Sequence, residues 1–468
     1  MMSAIDTIKA TLPAEAWTDD ADLIAPRLVE WRGIYKGRTG LMATPRTADE
    51  VAAVVRICAD LRCPIAVQGG NTGLVGGGTP DEAGDEILLS LQKMNRVRHV
   101  DPDNFTLTAE AGCTVSAVQD RAAAADRFFA LSLASEGSAT LGGVISTNAG
   151  GINVLRYGSM RDQVLGLEVV LPDGRIWNGL GGLRKDNTGY DLRQLFVGAE
   201  GTLGIVTAAV VKLYPRPLSR ATAFVAVPDP AAAIALLALG RTMTGDRLSA
   251  FELLDRTSLE MVIDHIPDCR DPLGKPSPWY VLAEATGTRA DDDLEALFEG
   301  YLAEAMERGL VTDGAIARSG SQAAAFWRLR ESMSEAQKID SASIKHDISV
   351  PVSGVPAFID RASKAVTAAL PGARPVPFGH VGDGNVHFNI SAPRGADSAA
   401  FLARWEEINR IVHDIVADMG GSISAEHGIG RLKREELARY KDPVALDLMR
   451  TLKATLDPGG VLNRNRII

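Results

Sequence analysis

The chain has 468 residues, of which 46% are hydrophobic and 23% are charged, which is enough for two or three domains with well-buried cores. Its 49 Lys and Arg residues against 59 Asp and Glu residues give a formal net charge of −10. Because the acidic residues are scattered and no Lys/Arg run occurs, the composition argues against nucleic acid or an anionic membrane surface as the main partner.

The cysteines and the N-terminal residues indicate the cellular compartment of the protein. The four cysteines, Cys58, Cys63, Cys113 and Cys269, form neither a CxxC motif nor a disulfide framework, which is typical of buried thiols in a reducing compartment. The start "MMSAIDTIKATLPAEAWTDDADL" is too acidic for a signal or transit peptide, and the apolar run "AAAIALLALG" is too short for a transmembrane segment. The sequence therefore predicts a cytoplasmic protein.

The first predicted helix and strand lead into a glycine-rich loop. The helix is predicted to begin at Thr47, because a hydroxyl three residues before Glu50 forms a capping box ahead of "VAAVVRICADL". A buried strand, "PIAVQ", follows. The next ten residues, "GGNTGLVGGG" at 69–78, contain six glycines and predict a loop whose backbone is approached closely.

A second glycine-rich stretch, "SEGSATLGGVISTNAGGINVLRYGS", follows a helix predicted over "VSAVQDRAAAADRFFAL". A hairpin turning at Pro172-Asp173-Gly174 then joins "LGLEVVL" to "RIWNG". Glycine loops before helices commonly bind phosphate through backbone N–H groups, but neither GxGxxG nor GxxxxGK[ST] occurs. Two such stretches about 70 residues apart indicate an elongated ligand contacted from several sides.

After Pro215-Arg216-Pro217 the pattern changes to strands interleaved with longer helices, so a domain boundary is predicted near residue 217. Asp229 and Pro230 open a helix over "AAAIALLALG" as its cap and first residue. Further helices are predicted over "SQAAAFWRLRESMSEAQ" and "DSAAFLARWEEINRIVHDIVADMG".

Two histidines flank a turn in "PFGHVGDGNVHFNIS". A four-residue GDGN loop would set His380 opposite His387 with both rings on one face, joined by Asn389 two residues later. Farther on, "SISAEHGIGRLK" supplies Glu426 and His427. Two His and one carboxylate with an open fourth position are the ligands of a catalytic zinc site, and they also accept manganese or iron. The hairpin alone is equally consistent with structural or surface histidines.

The glycine loops carry a resemblance to a known family. "PIAVQGGNTGLVGGG", "SEGSATLGGVISTNAGG", "RYGSMRDQVLGLEVVLPDG" and "VGAEGTLGIVT" resemble the FAD-binding half of the vanillyl-alcohol oxidase and 4-cresol methylhydroxylase flavoproteins. The resemblance implies an α+β fold, with a two-subdomain FAD-binding (PCMH-type) domain followed by an antiparallel-sheet substrate domain of the FAD-linked oxidase C-terminal type. Because Asn71 stands where covalently flavinylated members carry histidine, it implies non-covalent FAD. The residues it places on the pyrophosphate are Gly69, Gly70, Asn71, Thr72, Gly73 and Leu74, and those around the rest of FAD are Gly137, Ser138, Thr140, Gly142, Gly143, Ser146, Asn148, Gly151, Gly204 and Ile205.

The second half extends the resemblance to nearly the whole chain. "GHVGDGNVHFNI" and "AEHGIG" are similar to the D-2-hydroxyacid dehydrogenase branch of this family. The resemblance implies that His380, His387 and Glu426 bind a divalent metal and that His427 is the catalytic base. It further implies oxidation of a D-2-hydroxy acid to the 2-oxo acid, with hydride transfer to flavin N5.

The segment "FWRLRESMSEAQKIDSASIKHDISVPV" bears on the substrate. By the same resemblance Arg330 binds a substrate carboxylate, with Ser334 one helical turn later and Lys345 in "IKHD" completing the pocket, and Asn389 joins the substrate-binding set. The lysine favours D-2-hydroxyglutarate, while D-lactate or glycolate is the alternative. Exposed charges on an amphipathic helix are the structural alternative for Arg330 and Lys345.

These patterns predict three parts: residues 1–217 for FAD, 218–440 for substrate and metal, and 441–468 as a segment packing back near the FAD domain. In that last segment Arg464 and Asn465 stand where the family has Pro and Gly. The predicted partners are a small 2-hydroxy acid and an external electron acceptor, which could be an electron-transfer flavoprotein, a quinone or a cytochrome, and the resemblance implies a homodimer. A zinc hydrolase and a flavoprotein without turnover are the remaining alternatives.

Overall fold

The computed structural model describes residues 2–468 and divides the chain into two compact units. The first unit comprises the residues up to 151, 158–216 and 426–468, and the second comprises 152–157 and 217–425. The division between Arg216 and Pro217 falls where the sequence pattern changes. The chain returns to the first unit at Glu426 rather than at residue 441, so the segment carrying Glu426 and His427 lies in the first unit.

The first unit contains two main sheets. Its strands in chain order are Trp17–Thr18 (β1), Met42–Ala43 (β2), Ile65–Gln68 (β3), Ile87–Ser90 (β4), Val97–Asp101 (β5), Thr106–Glu110 (β6), Arg127–Phe128 (β7), Val164–Val170 (β8), Ile176–Gly179 (β9), Ile205–Lys212 (β10) and Tyr214–Pro215 (β11). One sheet has the order β1-β2-β4-β3 and contains parallel pairs, and the other is antiparallel with the order β5-β6-β10-β8-β9. The antiparallel β8–β9 hairpin is the one predicted around Pro172-Asp173-Gly174.

The helices up to residue 216 are short apart from two. They are Ala4–Thr11 (α1), Ala21–Ile24 (α2), Ala48–Asp60 (α3), Val115–Ala124 (α4), Leu141–Ser146 (α5), Val154–Tyr157 (α6, in the second unit) and Met160–Gln163 (α7). As predicted, the Thr47 hydroxyl caps α3 by accepting from the N–H of Glu50. Helix α4 ends earlier than predicted, because the chain turns through Asp126 at φ +54° into β7.

Each sheet of the first unit covers its own apolar core. One core lies between α4, α5 and the antiparallel sheet, with Phe129 and Leu167 fully enclosed. The other lies between α1, α3, β3 and β4, and Val461 and Leu462 from the C-terminal segment are part of it. Backbone bonds fix this segment beside β3, since Ile65 donates to the Val461 carbonyl and Asn463 donates to the Ile65 carbonyl. The C-terminal residues thus complete the FAD-type unit.

The second unit is built on one antiparallel sheet. Its strands are Ser219–Val227 (β12), Leu248–Asp255 (β13), Trp279–Gly287 (β14), Asp313–Ile316 (β15), Ser343–Ile344 (β16), Asp347–Ser349 (β17), Arg374–Gly379 (β18) and Asn385–Ser391 (β19). The strand order is β15-β12-β14-β13-β18-β19-β16, and β17 also pairs with β19. Strands β12, β13 and β14 are buried along most of their length, because helices cover the sheet.

The later helices are longer, as the sequence pattern predicts. They are Pro230–Thr244 (α8), Arg256–His265 (α9), Leu294–Glu307 (α10), Gly320–Glu331 (α11), Met333–Asp340 (α12), Val355–Ala369 (α13), Ser398–Leu402 (α14) and Trp405–Asp418 (α15), followed in the first unit by Arg434–Tyr440 (α16) and Pro443–Leu456 (α17). Asp229 caps α8 and Pro230 is its first residue.

Two segments predicted as single helices are each interrupted. Helices α11 and α12 meet at Ser332, and α14 and α15 are separated near Arg404, where ψ is close to zero in both residues. A ψ angle near zero interrupts the regular helix at one residue, and the next helix then begins at once. The spacing of apolar residues does not predict such a break. In the described residues no helix is long and apolar enough to cross a membrane.

Candidate active site

The two glycine-rich stretches of the first unit pack against each other. The loop 69–78 follows β3, and a Cβ atom on Gly70 would lie 2.0 Å from the carbonyl oxygen of Ser138. A Cβ on Gly69 would lie 2.4 Å from the hydroxyl of Thr140. Only glycine permits this approach of two backbones. The structure therefore brings together the two segments that the sequence predicts to share one ligand.

Gln68, at the end of β3, shapes the first loop. Its buried side chain donates to the Asn71 side-chain oxygen at 3.3 Å and to the Gly78 carbonyl at 2.9 Å, and thus ties the start of the loop to its end. Asn71 has φ +57° and its amide nitrogen donates to the Val29 carbonyl. The sequence analysis missed Gln68. Its signal is a polar residue that ends a buried apolar strand immediately before the glycines.

A buried hydroxyl faces the junction of the two loops. Thr140 is 2% exposed, and its Oγ1 has no hydrogen-bond partner within residues 2–468. The same oxygen is the atom nearest to a Cβ built on Gly69 or Gly143. Buried polar groups are nearly always hydrogen-bonded, so this hydroxyl and the glycine backbones around it fit a polar ligand such as FAD.

Some residues assigned to FAD already have structural roles. Asn148 adopts φ +51°, and its side-chain oxygen accepts from the Ser159 hydroxyl and the N–H of Arg161. A Cβ on Gly204 would lie 2.6 Å from Val169. The other assigned residues lie in the loop 69–78, around α5 or at the start of β10, namely Thr72, Gly73, Leu74, Gly137, Ser138, Gly142, Gly143, Ser146, Gly151 and Ile205.

Glu200 anchors the turn that follows His427. One carboxylate oxygen accepts from the N–H of Ile429 at 2.7 Å and the other from the N–H of Gly430 at 2.8 Å. Burial raises the pKa of Glu200, while the two backbone donors oppose that rise. Glu426 is bound in the same unit, because its Oε1 accepts from the N–H of Gly151 at 2.7 Å. Glu426 and His427 lie in an irregular turn rather than at the predicted strand end.

The histidine hairpin differs in register from the prediction. Phe378 of β18 pairs with His387 of β19, so His380 follows the last paired residues and is not opposite His387. Gly379, at φ +145°, turns the chain there, a backbone angle that the sequence pattern does not reveal. The rings nevertheless meet, with centroids 5.5 Å apart and a ring nitrogen of each within 4.8 Å of the other.

A buried carboxylate lies behind each histidine. His380 Nδ1 is 2.6 Å from Oε1 of Glu252, a fully buried residue of β13. His387 Nδ1 is 3.8 Å from Oδ1 of Asp347, which also accepts from the amide of Asn385. A carboxylate at Nδ1 leaves Nε2 of the imidazole as the lone-pair donor, which is the usual arrangement of metal-binding histidines. The donor set of the pair therefore fits a divalent metal.

Glu252 was not predicted. Its second oxygen accepts from Nε of Arg330 at 2.7 Å, so one carboxylate joins His380 to Arg330. Burial alone would raise its pKa, but the charges of His380 and Arg330 and their hydrogen bonds lower the pKa of Glu252 to about 2. The sequence signal is a charged residue in the middle of the apolar strand "LSAFELLD".

The predicted substrate-binding residues all lie in the second unit, in different surroundings. Arg330 is buried and its guanidinium lies 5.1 Å from the ring centre of Phe378. Ser334 is exposed on α12, and Lys345 is half-buried between β16 and β17. Asn389 is buried, where its amide donates to the Gln337 side chain and accepts from the N–H of His346. Its amide thus orders the backbone next to Lys345.

Comparison with known families matches both halves of the chain. Residues 40–179 match the model of the FAD binding domain, and residues 216–467 match that of the C-terminal domain of FAD linked oxidases. The mitochondrial D-2-hydroxyglutarate dehydrogenase of Arabidopsis thaliana is 37% identical over 466 residues, covering 99% of this chain and 81% of that protein. The Bos taurus enzyme of the same name is 39% identical, with 98% and 82% covered. The D-2-hydroxyglutarate–pyruvate transhydrogenase of Saccharomyces cerevisiae is 36% identical, with 94% and 88% covered.

Solved structures confirm the predicted fold class. p-Cresol methylhydroxylase with bound substrate superposes with a TM-score of 0.77 at 18% identity, covering 99% of this chain and 96% of that one. Alkyldihydroxyacetonephosphate synthase gives a TM-score of 0.76 at 17% identity, with 98% and 84% covered. At these identities the likeness concerns the fold alone.

The predicted cytoplasmic location is wrong on this comparison, because the plant and bovine relatives are both named mitochondrial. The prediction relied on charge and hydropathy in the first residues.

Proposed function

Because the chain belongs to the FAD-linked oxidase family, alongside the D-2-hydroxyglutarate dehydrogenases, we propose that it oxidises D-2-hydroxyglutarate to 2-oxoglutarate with FAD and a divalent metal. The observation that carries the metal part of the proposal is the pair His380 and His387, whose rings meet while carboxylates face their Nδ1 atoms. Zinc suits two imidazoles and a carboxylate, and manganese or iron are the other candidates.

When bound, FAD supplies the hydride acceptor and the metal supplies a Lewis acid for the substrate hydroxyl. His380 and His387 would hold the ion through Nε2, with Glu426 as the proposed third ligand. His427 accepts the hydroxyl proton at a ring nitrogen, since a neutral imidazole is a suitable base near neutral pH. Arg330, Ser334 and Lys345 bind the distal carboxylate and thus orient the substrate.

The flavin is proposed to be bound without a covalent bond, between the loop 69–78 and the segment 137–151. Support comes from the backbone contact of these loops at Gly69 and Gly70 and from the buried Thr140 hydroxyl. Asn71, which replaces histidine at the usual attachment position, directs its amide to the Val29 carbonyl.

The decisive experiment is anaerobic reduction of the bound flavin by a panel of D- and L-2-hydroxy acids. We expect loss of the yellow absorption with D-2-hydroxyglutarate, slower loss with D-lactate or glycolate and none with L-acids. Treatment with a chelator should abolish reduction, and added zinc or manganese should restore it. Equal bleaching by D-lactate would favour the monocarboxylate alternative, and a protein that bleaches with no hydroxy acid would refute the proposed activity.

The electron acceptor and the assembly are also proposals. Four cysteines without cluster spacing supply no iron–sulfur centre, so electrons are proposed to pass to an electron-transfer flavoprotein, a quinone or a cytochrome. The name of the yeast relative adds pyruvate to the acceptors that should be assayed. A homodimer is proposed by analogy within the family, and sedimentation of the purified protein tests it.

A further inference from the structure

Glu252 has an unusual position for a side chain of its charge. It is 0% exposed within β13, a strand that is buried at all eight positions. An isolated carboxylate in such surroundings is strongly unfavourable, so its partners determine whether it is tolerated. Both of its oxygens are used, one at 2.6 Å from His380 Nδ1 and the other at 2.7 Å from Arg330 Nε.

We infer that Glu252 is a positioning residue that sets metal affinity and substrate selectivity together, by fixing His380 with one oxygen and Arg330 with the other. The inference rests on the proposed function, because His380 is the metal ligand and Arg330 the substrate-carboxylate ligand of that proposal. No other described carboxylate contacts both residues within the second unit.

The bond to His380 determines which ring nitrogen carries the proton. A carboxylate only accepts, so His380 must donate through Nδ1, and Nε2 then keeps its lone pair for an ion. The carboxylate next to His387 is farther away, because Oδ1 of Asp347 lies 3.8 Å from Nδ1 of His387, which is beyond hydrogen-bond length. The ligating form of His380 is therefore imposed by a direct hydrogen bond from its Nδ1 to Glu252.

The bond to Arg330 determines which edge of the guanidinium is presented. Glu252 takes Nε, and within residues 2–468 the remaining contact of the group is the Phe378 ring at 5.1 Å. Nη1 and Nη2 are left as a planar pair of donors, which suits a carboxylate bound through two parallel hydrogen bonds. A substrate with a second carboxylate uses this edge, whereas D-lactate and glycolate have none to place there.

Glu252→Gln tests both roles, because a carboxylate has two acceptor oxygens whereas an amide has one acceptor oxygen and one NH₂ donor. If its oxygen faces His380, its NH₂ opposes the N–H of Arg330. If it is reversed, its NH₂ donates to His380 Nδ1 and forces the proton onto Nε2, which then cannot bind metal. Glu284→Gln is the matched control, since Glu284 is also a buried carboxylate in the same sheet but bonds Thr222 and Trp327 instead.

The first measurement is the zinc dissociation constant of the flavin-loaded protein without substrate. We expect it to rise roughly tenfold to a hundredfold in Glu252→Gln, the range for lost partners of metal-binding histidines, and to stay within about twofold in Glu284→Gln. The second is the ratio of kcat/KM for D-2-hydroxyglutarate to that for D-lactate, at saturating metal. This ratio should fall at least about fivefold in Glu252→Gln, because Arg330 loses its orientation.

The third measurement does not depend on the folding of Glu252→Gln. Nitrogen-15 NMR of histidine-labelled, metal-free wild-type protein reports the tautomer of neutral His380, assigned by its absence in His380→Ala. A proton on Nδ1 is expected, and a proton on Nε2 would overturn the inference. So would zinc affinity that is unchanged in a folded, yellow Glu252→Gln protein. If instead the wild-type protein neither binds zinc nor is reduced by a hydroxy acid, the proposed function itself fails.

Discussion

Lys345 is the residue proposed to distinguish a dicarboxylate from a monocarboxylate substrate. It lies half-buried between β16 and β17, next to a backbone that Asn389 fixes through the N–H of His346. Because this backbone is already fixed, only the lysine side chain has to be ordered when its ammonium binds a carboxylate, and a charge-assisted hydrogen bond is worth about 1.5–3 kcal/mol.

We predict that Lys345→Ala raises the KM for D-2-hydroxyglutarate about tenfold to a hundredfold. The kcat/KM for D-lactate should change less than about threefold, because that substrate has no distal carboxylate to lose. Steady-state kinetics with both acids measure this, and Lys338→Ala, an exposed lysine of α12, controls for the loss of a positive charge. Unchanged kinetics on D-2-hydroxyglutarate would remove Lys345 from the substrate-binding set.

Residues with special chemistry were predictable where the motif is local. The histidines, Glu426 and the glycines could be identified because their residue types are unusual for their surroundings. Glu200 and Glu252 could not, because each acts on residues far away in sequence: Glu252 contacts a histidine 128 positions later and Glu200 a backbone amide 229 positions later. A buried polar residue in an apolar strand signals that a partner exists, but only the fold identifies the partner.

At the scale of elements, Glu200 links the segment "VGAEGTLG" to the turn that carries His427. Its two oxygens accept from the successive amides of Ile429 and Gly430. A glutamine offers one acceptor and would direct its NH₂ at the other N–H, which leaves a buried donor unsatisfied at a cost of about 1–3 kcal/mol.

Glu200→Gln should therefore lower kcat about tenfold or more while flavin content stays near that of the wild type, because the base is displaced but the glycine loops are intact. The measurement is kcat together with the flavin-to-protein absorbance ratio. Glu168→Gln serves as the control, since Glu168 is a buried carboxylate of β8 that pairs with Arg98 and does not contact the turn. An equal loss of kcat in both variants would indicate general destabilisation.

The C-terminal segment clamps the first glycine loop. Arg466 is 1% exposed, and its guanidinium donates to the Glu86 carboxylate and to the carbonyls of Gly77 and Thr79. Arg464 instead pairs at the surface with Asp81 and Asp85. Arg466 therefore ties the tail to the loop that is proposed to hold FAD, whereas Arg464, which departs from the family pattern, contacts residues that follow this loop.

We predict that Arg466→Met lowers the free energy of unfolding by about 3–5 kcal/mol, because Glu86 is left as a buried, unpaired charge. Arg464→Met should cost about 1 kcal/mol or less, as expected for a partly exposed ion pair. Urea unfolding of both variants measures the difference, and FAD release on dilution should be faster only in Arg466→Met. Similar effects of the two substitutions would contradict the clamp.

Elements were predicted well where periodicity and caps coincide, and less well elsewhere. Helices α3 and α8 begin at the predicted caps, Thr47 and Asp229. The register of β18 and β19 was wrong by two residues, because Gly379 takes a backbone angle that its residue type permits but does not require. The short strand β17, which pairs with β19, has no signal of its own, since three residues carry no period.

For the molecule as a whole, the proposed FAD-binding residues lie in one unit and the two histidines of the proposed metal site lie in the other, while Glu426, the proposed third metal ligand, lies in the first unit. All residues proposed to bind FAD lie in the first unit, and the histidine pair with Glu252 and Arg330 lies in the second. Each unit has its own buried core. A change confined to the hairpin should therefore leave flavin binding intact, and a change confined to the glycine loop should leave the histidine pair intact.

This gives a pair of variants with opposite expected effects. His380→Ala should lose more than about 99% of turnover and bind zinc at least tenfold more weakly, yet purify yellow, because turnover is proposed to need the ion while the residues proposed to bind FAD all lie in the first unit. Gln68→Ala should lose FAD on purification while it binds zinc as the wild type does, because the loop 69–78 is no longer tied to its own end. Flavin absorbance, zinc titration and turnover of both proteins measure these effects, with FAD added back to Gln68→Ala.

A colourless His380→Ala protein would show that flavin binding depends on the hairpin. A Gln68→Ala protein that loses zinc affinity would show that zinc binding depends on the glycine loop. Either result would refute the independence of the proposed FAD site in the first unit and the histidine pair in the second, since each variant changes a side chain of one unit only.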